Sequence, residues 1–276
     1  MTRRIDAHQH FWRYEPGEYG WISEEMDVLR RDFLPEHLVP ELHRAGVDVT
    51  IAVQARQSLE ETRFLLDLAS ASARIAGVVG WVDLCSDDVE RELEEFAGRL
   101  VGVRHVLQDE PDDAFCLRAD FQRGLGRLCA HGLTYDLLLH PRHLAPALEL
   151  VTRHPEQAFV LDHLAKPDVA HGKLDPWARD LRALAACDNV CCKLSGLVTE
   201  ARWNAWEPDD FRPFLEVALE AFGTERLLFG SDWPVCLLAA PDYAAVLGLV
   251  DDFARSLGED ERAALFGGNA ARFYLS

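Results

Sequence analysis

The chain has 276 residues, 49% hydrophobic and 27% charged, enough for a large folded core and unlike the composition of a disordered segment. Its 47 acidic and 28 basic residues give a formal net charge of −19, and no basic run exceeds the pairs Arg3-Arg4 and Arg30-Arg31. With no basic field to release counterions, nucleic acid and anionic membrane are excluded as expected partners. No apolar run reaches the length of a membrane span and no signal peptide is expected. The seven cysteines contain no C-x-x-C and include the adjacent pair Cys191-Cys192, which reads as free thiols in a reducing compartment and a cytoplasmic protein.

Apolar runs alternate with helical patterns along the whole chain. Ile5 leads a short first strand into Asp6-Ala7-His8-Gln9-His10-Phe11-Trp12. Side chains alternate faces along a strand, so His8 and His10 share one, and one nitrogen from each can reach a single metal ion at about 2.0–2.1 Å. Two unrelated surface histidines would show the same spacing. Residues 11–34 follow as a long irregular stretch holding Trp12, Tyr14, Tyr19 and Trp21. So long a loop directly after the first strand suggests a wall or lid over a site; the alternative is aromatics packed on a rim.

Pro35–Ala45 is a predicted helix stopped by Gly46, and Val49–Val53 is strand two. Ser58-Leu59-Glu60-Glu61 reads as a capping box opening a helix to about residue 73. The alternation continues with strands at 78–82, 101–106, 133–139, 158–162, 189–194 and 227–229. Helices are predicted between and after them at 89–100, 121–130, 145–154, 175–186, 208–222, 242–256 and 260–265. Eight short strands, each followed by a helix, with no repeat or linker, predict a single-domain (β/α)8 barrel over residues 1–276. A doubly wound open sheet would carry a glycine-rich loop after strand one, where Asp6-Ala7-His8-Gln9-His10 stands instead.

Active sites of such barrels lie at the C-terminal strand ends. Those ends hold His8 and His10, then Gln54 and Arg56, Trp81 and Asp83, Arg104 and His105, Asp136 with His140 further on, Asp162 and His163, Lys193, and Ser231-Asp232. A single ionisable residue there is often a cap or a rim salt bridge, but recurrence on nearly every strand points to catalysis. An Asp136–Arg104 ion pair inside the barrel, and rim salt bridges for Lys166 and Lys193, are the structural alternatives.

Asp6-Ala7-His8-Gln9-His10-Phe11-Trp12, Asp162-His163-Leu164-Ala165-Lys166-Pro167, Lys193-Leu194-Ser195-Gly196, Phe229-Gly230-Ser231-Asp232-Trp233-Pro234 and Gly268-Asn269-Ala270-Ala271-Arg272-Phe273-Tyr274 together resemble the amidohydrolase superfamily, and within it the sugar-lactone hydrolases of fuconolactonase and rhamnonolactonase type. The resemblance spans essentially the whole chain. It implies a distorted (β/α)8 barrel that hydrolyses lactones at a site often holding one divalent metal, here read as zinc. His8 and His10 match the first-strand pair, His163 the sixth-strand histidine and Asp232 the eighth-strand aspartate. The superfamily often has a lysine ending strand four and a histidine ending strand five. Arg104, Asp136 and the late His140 depart from that pattern, which disfavours a two-metal site.

Opening a lactone needs an activated water, a polarised carbonyl and a proton for the leaving oxygen. Asp232 is the candidate general base and later proton donor, with His163 and Arg104 as further catalytic residues. His8, His10, Asp232 and His163 are the candidate metal ligands; without metal, the histidines and Arg104 would serve as donors to the developing oxyanion. Gln54, Arg56, Asp136, Trp12, Trp81, Lys166 and Trp233 are the candidate contacts to a polyhydroxylated, neutral substrate, in a monomer or homo-oligomer. Two alternatives stand beside the lactonase: a metal-dependent decarboxylase or hydrolase of a muconolactone-like acid, with Arg56 and Arg104 binding its carboxylate, and a non-catalytic protein that binds a sugar acid or lactone.

Overall fold

The computed structural model describes residues 3–203 and 205–276. Eight parallel strands run in chain order around one sheet: β1 Ile5–Gln9, β2 Val49–Val53, β3 Ile75–Gly80, β4 Gly102–His105, β5 Thr134–Leu137, β6 Phe159–Leu161, β7 Val190–Leu194 and β8 Leu227–Phe229. The helices are α1 Pro35–Ala45, α2 Leu59–Ala71, α3 Val89–Glu95, α4 Ala119–Leu128, α5 Leu144–Arg153, α6 Trp177–Ala185, α7 Pro208–Phe222, α8 Tyr243–Phe253, α9 Glu259–Ala263 and α10 Asn269–Tyr274. This is the (β/α)8 barrel expected from the alternation. Among the described residues no helix is long and apolar enough to cross a membrane.

The barrel closes between β8 and β1 beyond the regular ladder. Asp232 N donates to His8 O at 2.8 Å, and His10 N donates to Trp233 O at 2.7 Å. The Asp6 carboxylate stitches the same seam, accepting from Ser231 N at 2.9 Å, His8 N at 3.1 Å and the Tyr243 hydroxyl at 3.0 Å. The register of β1 against β2 shifts between Asp6 and Gln9. Asp6 thus serves the seam, although strict alternation would put it on the face of His8 and His10.

Several boundaries differ from expectation for local reasons. Strand three starts earlier and stops at Gly80, because Trp81 N donates to the Thr62 hydroxyl at 2.9 Å and Trp81 O accepts from it at 2.8 Å. Helix α3 ends at Glu95 rather than near residue 100, ahead of Gly98 at φ +69°. The C-terminal helix α10 was not expected. It is anchored by Asn269, whose amide donates to Thr224 O at 2.8 Å and Leu227 O at 2.7 Å. Ala270 and Tyr274 of this helix pack in one buried cluster with Ile5, Val49, Val160 and Leu228, so α10 closes the N-terminal end of the barrel.

Gly230, at the end of β8, lies where a Cβ would sit 2.7 Å from His8 Cβ and 3.1 Å from Ser195 Cβ. Only a residue without a side chain lets β8 approach β1 and β7 this closely. Gly230→Ala is expected to lower unfolding free energy by about 1–3 kcal/mol, as overpacking of a filled interior does. Urea denaturation checks this; an unchanged midpoint would mean that the strands can part at no cost.

Candidate active site

Side chains from five strand ends meet above the barrel core. His8 and His10 come from β1 and its end, Arg104 from β4, Asp162 and His163 from the turn after β6, Lys193 and Ser195 from β7 and its end, and Asp232 from the turn after β8. All are buried. His8 Nε2 and His10 Nε2 are 3.2 Å apart. Asp232 Oδ1 lies 3.3 Å from His10 Nε2, 3.8 Å from His8 Nε2 and 3.9 Å from His163 Nε2, so one carboxylate oxygen faces three imidazoles. The Nδ1 atoms of His10 and His163 are engaged behind the site, with Val53 O at 2.8 Å and Ser195 Oγ at 2.8 Å. If each Nδ1 carries the ring proton, both Nε2 lone pairs face Asp232 and the cavity.

Beneath this group lies a set of buried charges. Lys193 Nζ is 2.6 Å from Asp136 Oδ2, 2.9 Å from Asp162 Oδ1 and 3.1 Å from His8 Nδ1. Arg104 donates through one nitrogen to Asp162 Oδ2 at 2.9 Å and through the other to Gln54 O. Tyr274 adds its hydroxyl to Asp136, 2.8 Å from Oδ2. Two acids and two bases thus balance in the barrel interior. The expected Asp136–Arg104 pair is not the one formed: the two residues are register partners on β5 and β4, but each takes its counter-ion from elsewhere. Lys193 sits at the centre of the barrel rather than on its rim.

The electrostatics follow from these contacts. Burial works to raise the Asp232 carboxyl, but His163, the hydrogen bond from His10, and His8 outweigh it and hold it well below the usual carboxylate range. Burial likewise opposes ionisation of Asp162, and Lys193, His8 and Arg104 override it and hold that carboxyl well below its usual range. Burial pushes the His163 imidazole down to about 4 against the pull of Asp232 and Asp162. Asp232 is therefore a carboxylate, and His163 a neutral ring, at neutral pH.

Local backbone strain aims two of these groups. His163, Leu164, Ala165 and Lys166 all have positive φ, between 52° and 57°, and Asp232 has φ 57°. Left-handed non-glycine residues cost roughly 1–2 kcal/mol each and persist where the surroundings over-determine them. Trp177 Nε1 holds the turn by donating to Leu164 O at 2.7 Å. Gly196 leaves room for the His163 ring, since a Cβ there would lie 2.4 Å from its Nδ1.

A cavity of about 600 Å³ opens over the site, within the range of small-molecule pockets. Of the expected residues, His10, Arg56, Arg104, His163, Lys166 and Asp232 line it. His8 lies directly beneath. The others are elsewhere. Trp12 is buried in the core with its Nε1 donating to Arg31 O at 2.9 Å. Trp233 is buried against Phe11 and Phe33, and Trp81 stands outside the lining. Gln54 supports Arg104, its amide donating to Arg104 O at 3.1 Å. Asp136 is sealed below the site, and His140 is half-buried and does not reach the cavity. From residues 11–34, Glu18, Trp21 and Met26 line the cavity, so part of the long loop is a wall of the site.

Sequence reasoning placed Asp162 at a strand end without assigning it a partner, and gave no role to Ser195 and Tyr274, although each stood inside a motif it had singled out. It also missed Glu18 and Glu200, which line the cavity, and misread Glu61. Only half of the expected capping box forms: Ser58 Oγ accepts from Glu61 N at 3.1 Å. The buried Glu61 carboxylate instead accepts from Ala55 N at 3.0 Å, Arg56 N at 2.7 Å and the Tyr19 hydroxyl at 3.1 Å. It ties the first loop to the turn that carries Arg56, whose guanidinium pairs with Glu18.

An amidohydrolase family model matches residues 5–275. An L-fucono-1,5-lactonase of Burkholderia multivorans is 49% identical, covering 98% of this chain and 95% of the relative. The chain belongs to the amidohydrolase family. A second L-fucono-1,5-lactonase, of Burkholderia ambifaria, is 43% identical over 99% of this chain and 96% of its own. A crystal structure of a Burkholderia multivorans amidohydrolase with bound zinc superposes with a TM-score of 0.94 at 48% identity, covering 99% of each chain.

The donor set of this amidohydrolase fits a divalent ion. His8 Nε2, His10 Nε2 and Asp232 Oδ1 form a triangle with edges of 3.2, 3.3 and 3.8 Å. Ligands at zinc-like bond lengths in tetrahedral array are separated by roughly 3.3 Å. The hydrogen bond from His10 Nδ1 to Val53 O is the support a ligating histidine requires.

Burial raises the Glu61 carboxyl from 4.5 to about 7, against the hydrogen bonds from Arg56, Ala55 and Tyr19. A group raised on folding stabilises fully below its unfolded pKa and loses that contribution as pH rises through the folded value. About 3 kcal/mol should therefore disappear between pH 4.5 and 7. Urea unfolding of the wild type and Glu61→Gln across this window should differ in slope by about one proton; identical slopes would place Glu61 ionised throughout.

Proposed function

We propose that the protein hydrolyses a neutral sugar lactone, of the L-fucono-1,5-lactone type, to the open-chain aldonic acid. The observation that carries this is the Asp232 carboxylate, ionised and ringed by three imidazoles, in a cavity open to small molecules whose lining also includes Arg104. The two lactonases that match the whole chain support it. Leu138, Val235 and Leu238 give the cavity lining apolar surface suited to the methyl group of a deoxy sugar, and Gln108, Thr199 and Glu200 offer partners to ring hydroxyls.

In this mechanism a water molecule attacks the lactone carbonyl carbon and gives its proton to the Asp232 carboxylate. The carbonyl oxygen, negative in the tetrahedral intermediate, is met by N–H donors fixed before the reaction, of which Arg104 is held by Asp162 and Gln54 O. The acyl carbon–ring oxygen bond then breaks, and Asp232 returns the proton to the departing oxygen. Water has added hydroxyl to the acyl carbon and hydrogen to the ring oxygen. The carboxylic acid so formed releases its proton to solvent and becomes a carboxylate, and Lys166, which forms no ion pair among the described residues, faces that new charge from the cavity wall. One divalent ion on His8, His10 and Asp232, zinc by the type of ligand, would polarise the carbonyl in addition.

Decarboxylation of an aromatic or muconate-like acid would call for free guanidinium groups to bind carboxylates. Arg56 is tied to Glu18, and Arg104 to Asp162, so both candidates are already neutralised.

Asp232→Asn is expected to lower kcat for L-fucono-1,5-lactone opening by about 10²–10⁴-fold in a protein that still folds, measured as proton release at neutral pH. Turnover near that of the wild type would remove Asp232 from the chemistry. Carbon dioxide release from an aromatic acid, with every sugar lactone inert, would replace lactone hydrolysis with decarboxylation.

A further inference from the structure

His105 is a strand-end residue to which the lactonase mechanism gives no task. It follows Arg104 on β4, and side chains alternate faces along a strand. Arg104 turns into the barrel and His105 turns outward, toward α4. There the buried ring stacks on Phe115, with centroids 5.1 Å apart and planes 11° from parallel, and meets Phe121 edge-on at 5.7 Å. Its Nε2 lies 2.7 Å from Glu110 Oε1. A carboxylate oxygen only accepts, so Nε2 carries the ring proton and donates. Burial lowers the His105 imidazole below its ordinary value, against the pull of Glu110 and Asp83, and the ring is neutral at neutral pH.

This bond holds a carboxylate without cancelling its charge. Among the described residues no lysine or arginine pairs with Glu110. Arg118, over the Phe115 ring at 4.8 Å, is taken by Asp120 in contacts of 2.6 and 3.1 Å. Glu18, another acid of the cavity lining, is instead paired with Arg56. The Glu110 side chain lines the cavity, and its second oxygen, Oε2, has no donor among the described residues. The backbone before it is clamped from three sides. Val106 N donates to Gln57 Oε1 at 2.7 Å, Gln108 N to Leu138 O at 3.1 Å, and an Arg142 nitrogen to Gln108 O at 2.9 Å. Glu110 N closes the turn by donating to Leu107 O at 3.2 Å. A fixed turn and a fixed first oxygen leave the second oxygen little freedom to lose when a ligand binds.

We propose that Glu110, aimed by His105, is a specificity-determining residue of this cavity: Oε2 accepts a hydrogen bond from a hydroxyl of the bound lactone, and its uncancelled charge turns away lactones that carry a carboxylate. On the lactonase reading, which this requires, the class selected is a neutral polyhydroxylated ring. His105 is a positioning residue and does not touch the substrate. A cation in its place would hold the carboxylate and neutralise it, whereas the neutral imidazole holds it and leaves the charge to act.

The test is steady-state kinetics of the full-length protein on a neutral sugar lactone and on a lactone of the same ring with a carboxylate as its terminal group. Glu110→Gln keeps the size of the side chain and can still accept from His105, but turns an amide N–H to the cavity in place of the second oxygen. It should raise KM for the neutral lactone about 10–100-fold, the worth of a hydrogen bond to a charged acceptor, with kcat within about twofold. The preference for the neutral over the carboxylated lactone should fall about tenfold. His105→Leu, which removes the donor, should also raise KM and spare kcat, and His105→Gln, with an amide N–H in reach of Glu110, should recover the wild-type KM. Both the raised KM and the narrowed preference of Glu110→Gln are required: absence of either, or a fall in kcat with KM unchanged, overturns the proposal and leaves lactone hydrolysis standing. A wild type that opens no sugar lactone removes the lactonase reading, and the proposal falls with it. Should His105→Leu not fold, Glu110→Gln decides alone, since Glu110 is only partly buried.

Discussion

The site depends on charge neutralised inside the barrel. Asp136, Lys193, Asp162 and Arg104 place two acids and two bases in a volume that water does not reach, and His8 is wedged among them. Burying such groups is unfavourable in itself, and deleting one partner of a buried pair commonly costs about 3–5 kcal/mol, because the other charge is left uncompensated. The cluster therefore has to be complete to be tolerated. Completeness brings order, because every carboxylate oxygen of Asp136 and Asp162 has at least one donor and the rings above them inherit fixed positions. The C-terminal helix takes part from below, since Tyr274 supplies the donor that Lys193 leaves unfilled on Asp136.

Above this floor the polypeptide is bent to suit. Four consecutive left-handed residues after β6, and another at Asp232 after β8, are not conformations that His, Leu, Ala, Lys or Asp choose alone. They are held by neighbours: Trp177 binds a carbonyl of the turn, Gly196 yields space to the His163 ring, and Gly230 lets the ends of β8 and β1 meet. The same closeness lets Asp6 bridge the seam. Strain at the strand ends and a rigid, charge-balanced core are thus two sides of one arrangement that keeps an acceptor oxygen, three imidazoles and a guanidinium converging on one spot.

The first loop adds a third layer. Its inner aromatics, Trp12 and Tyr19, pack in the core, and its outer residues Glu18, Trp21 and Met26 wall the cavity. Glu61 and the Glu18–Arg56 pair bind it to the turn after β2. The cavity wall and the position of the loop are coupled through the same few side chains.

The amino-acid sequence by itself determined the architecture, because eight apolar runs alternating with amphipathic helices have few other ways to bury their faces. It also marked strand ends whose polar residues converge in the folded chain: His8, His10, His163 and Asp232 stand where a barrel of this kind places its active site. Tertiary structure alone decided the partnerships. Arg104 and Asp136 are neighbours in register yet bind other groups, and Lys193 sits in the interior, because pairing of buried charges is settled by distances across the barrel that no local pattern encodes. Trp12, Trp81 and Trp233 look like sugar platforms in the sequence, but the side of a strand end or loop that faces the cavity depends on a register shift and on turns with positive φ. Tyr274 and Glu61 act across 138 and 42 residues of chain, through hydrogen bonds that exist only once the barrel has closed.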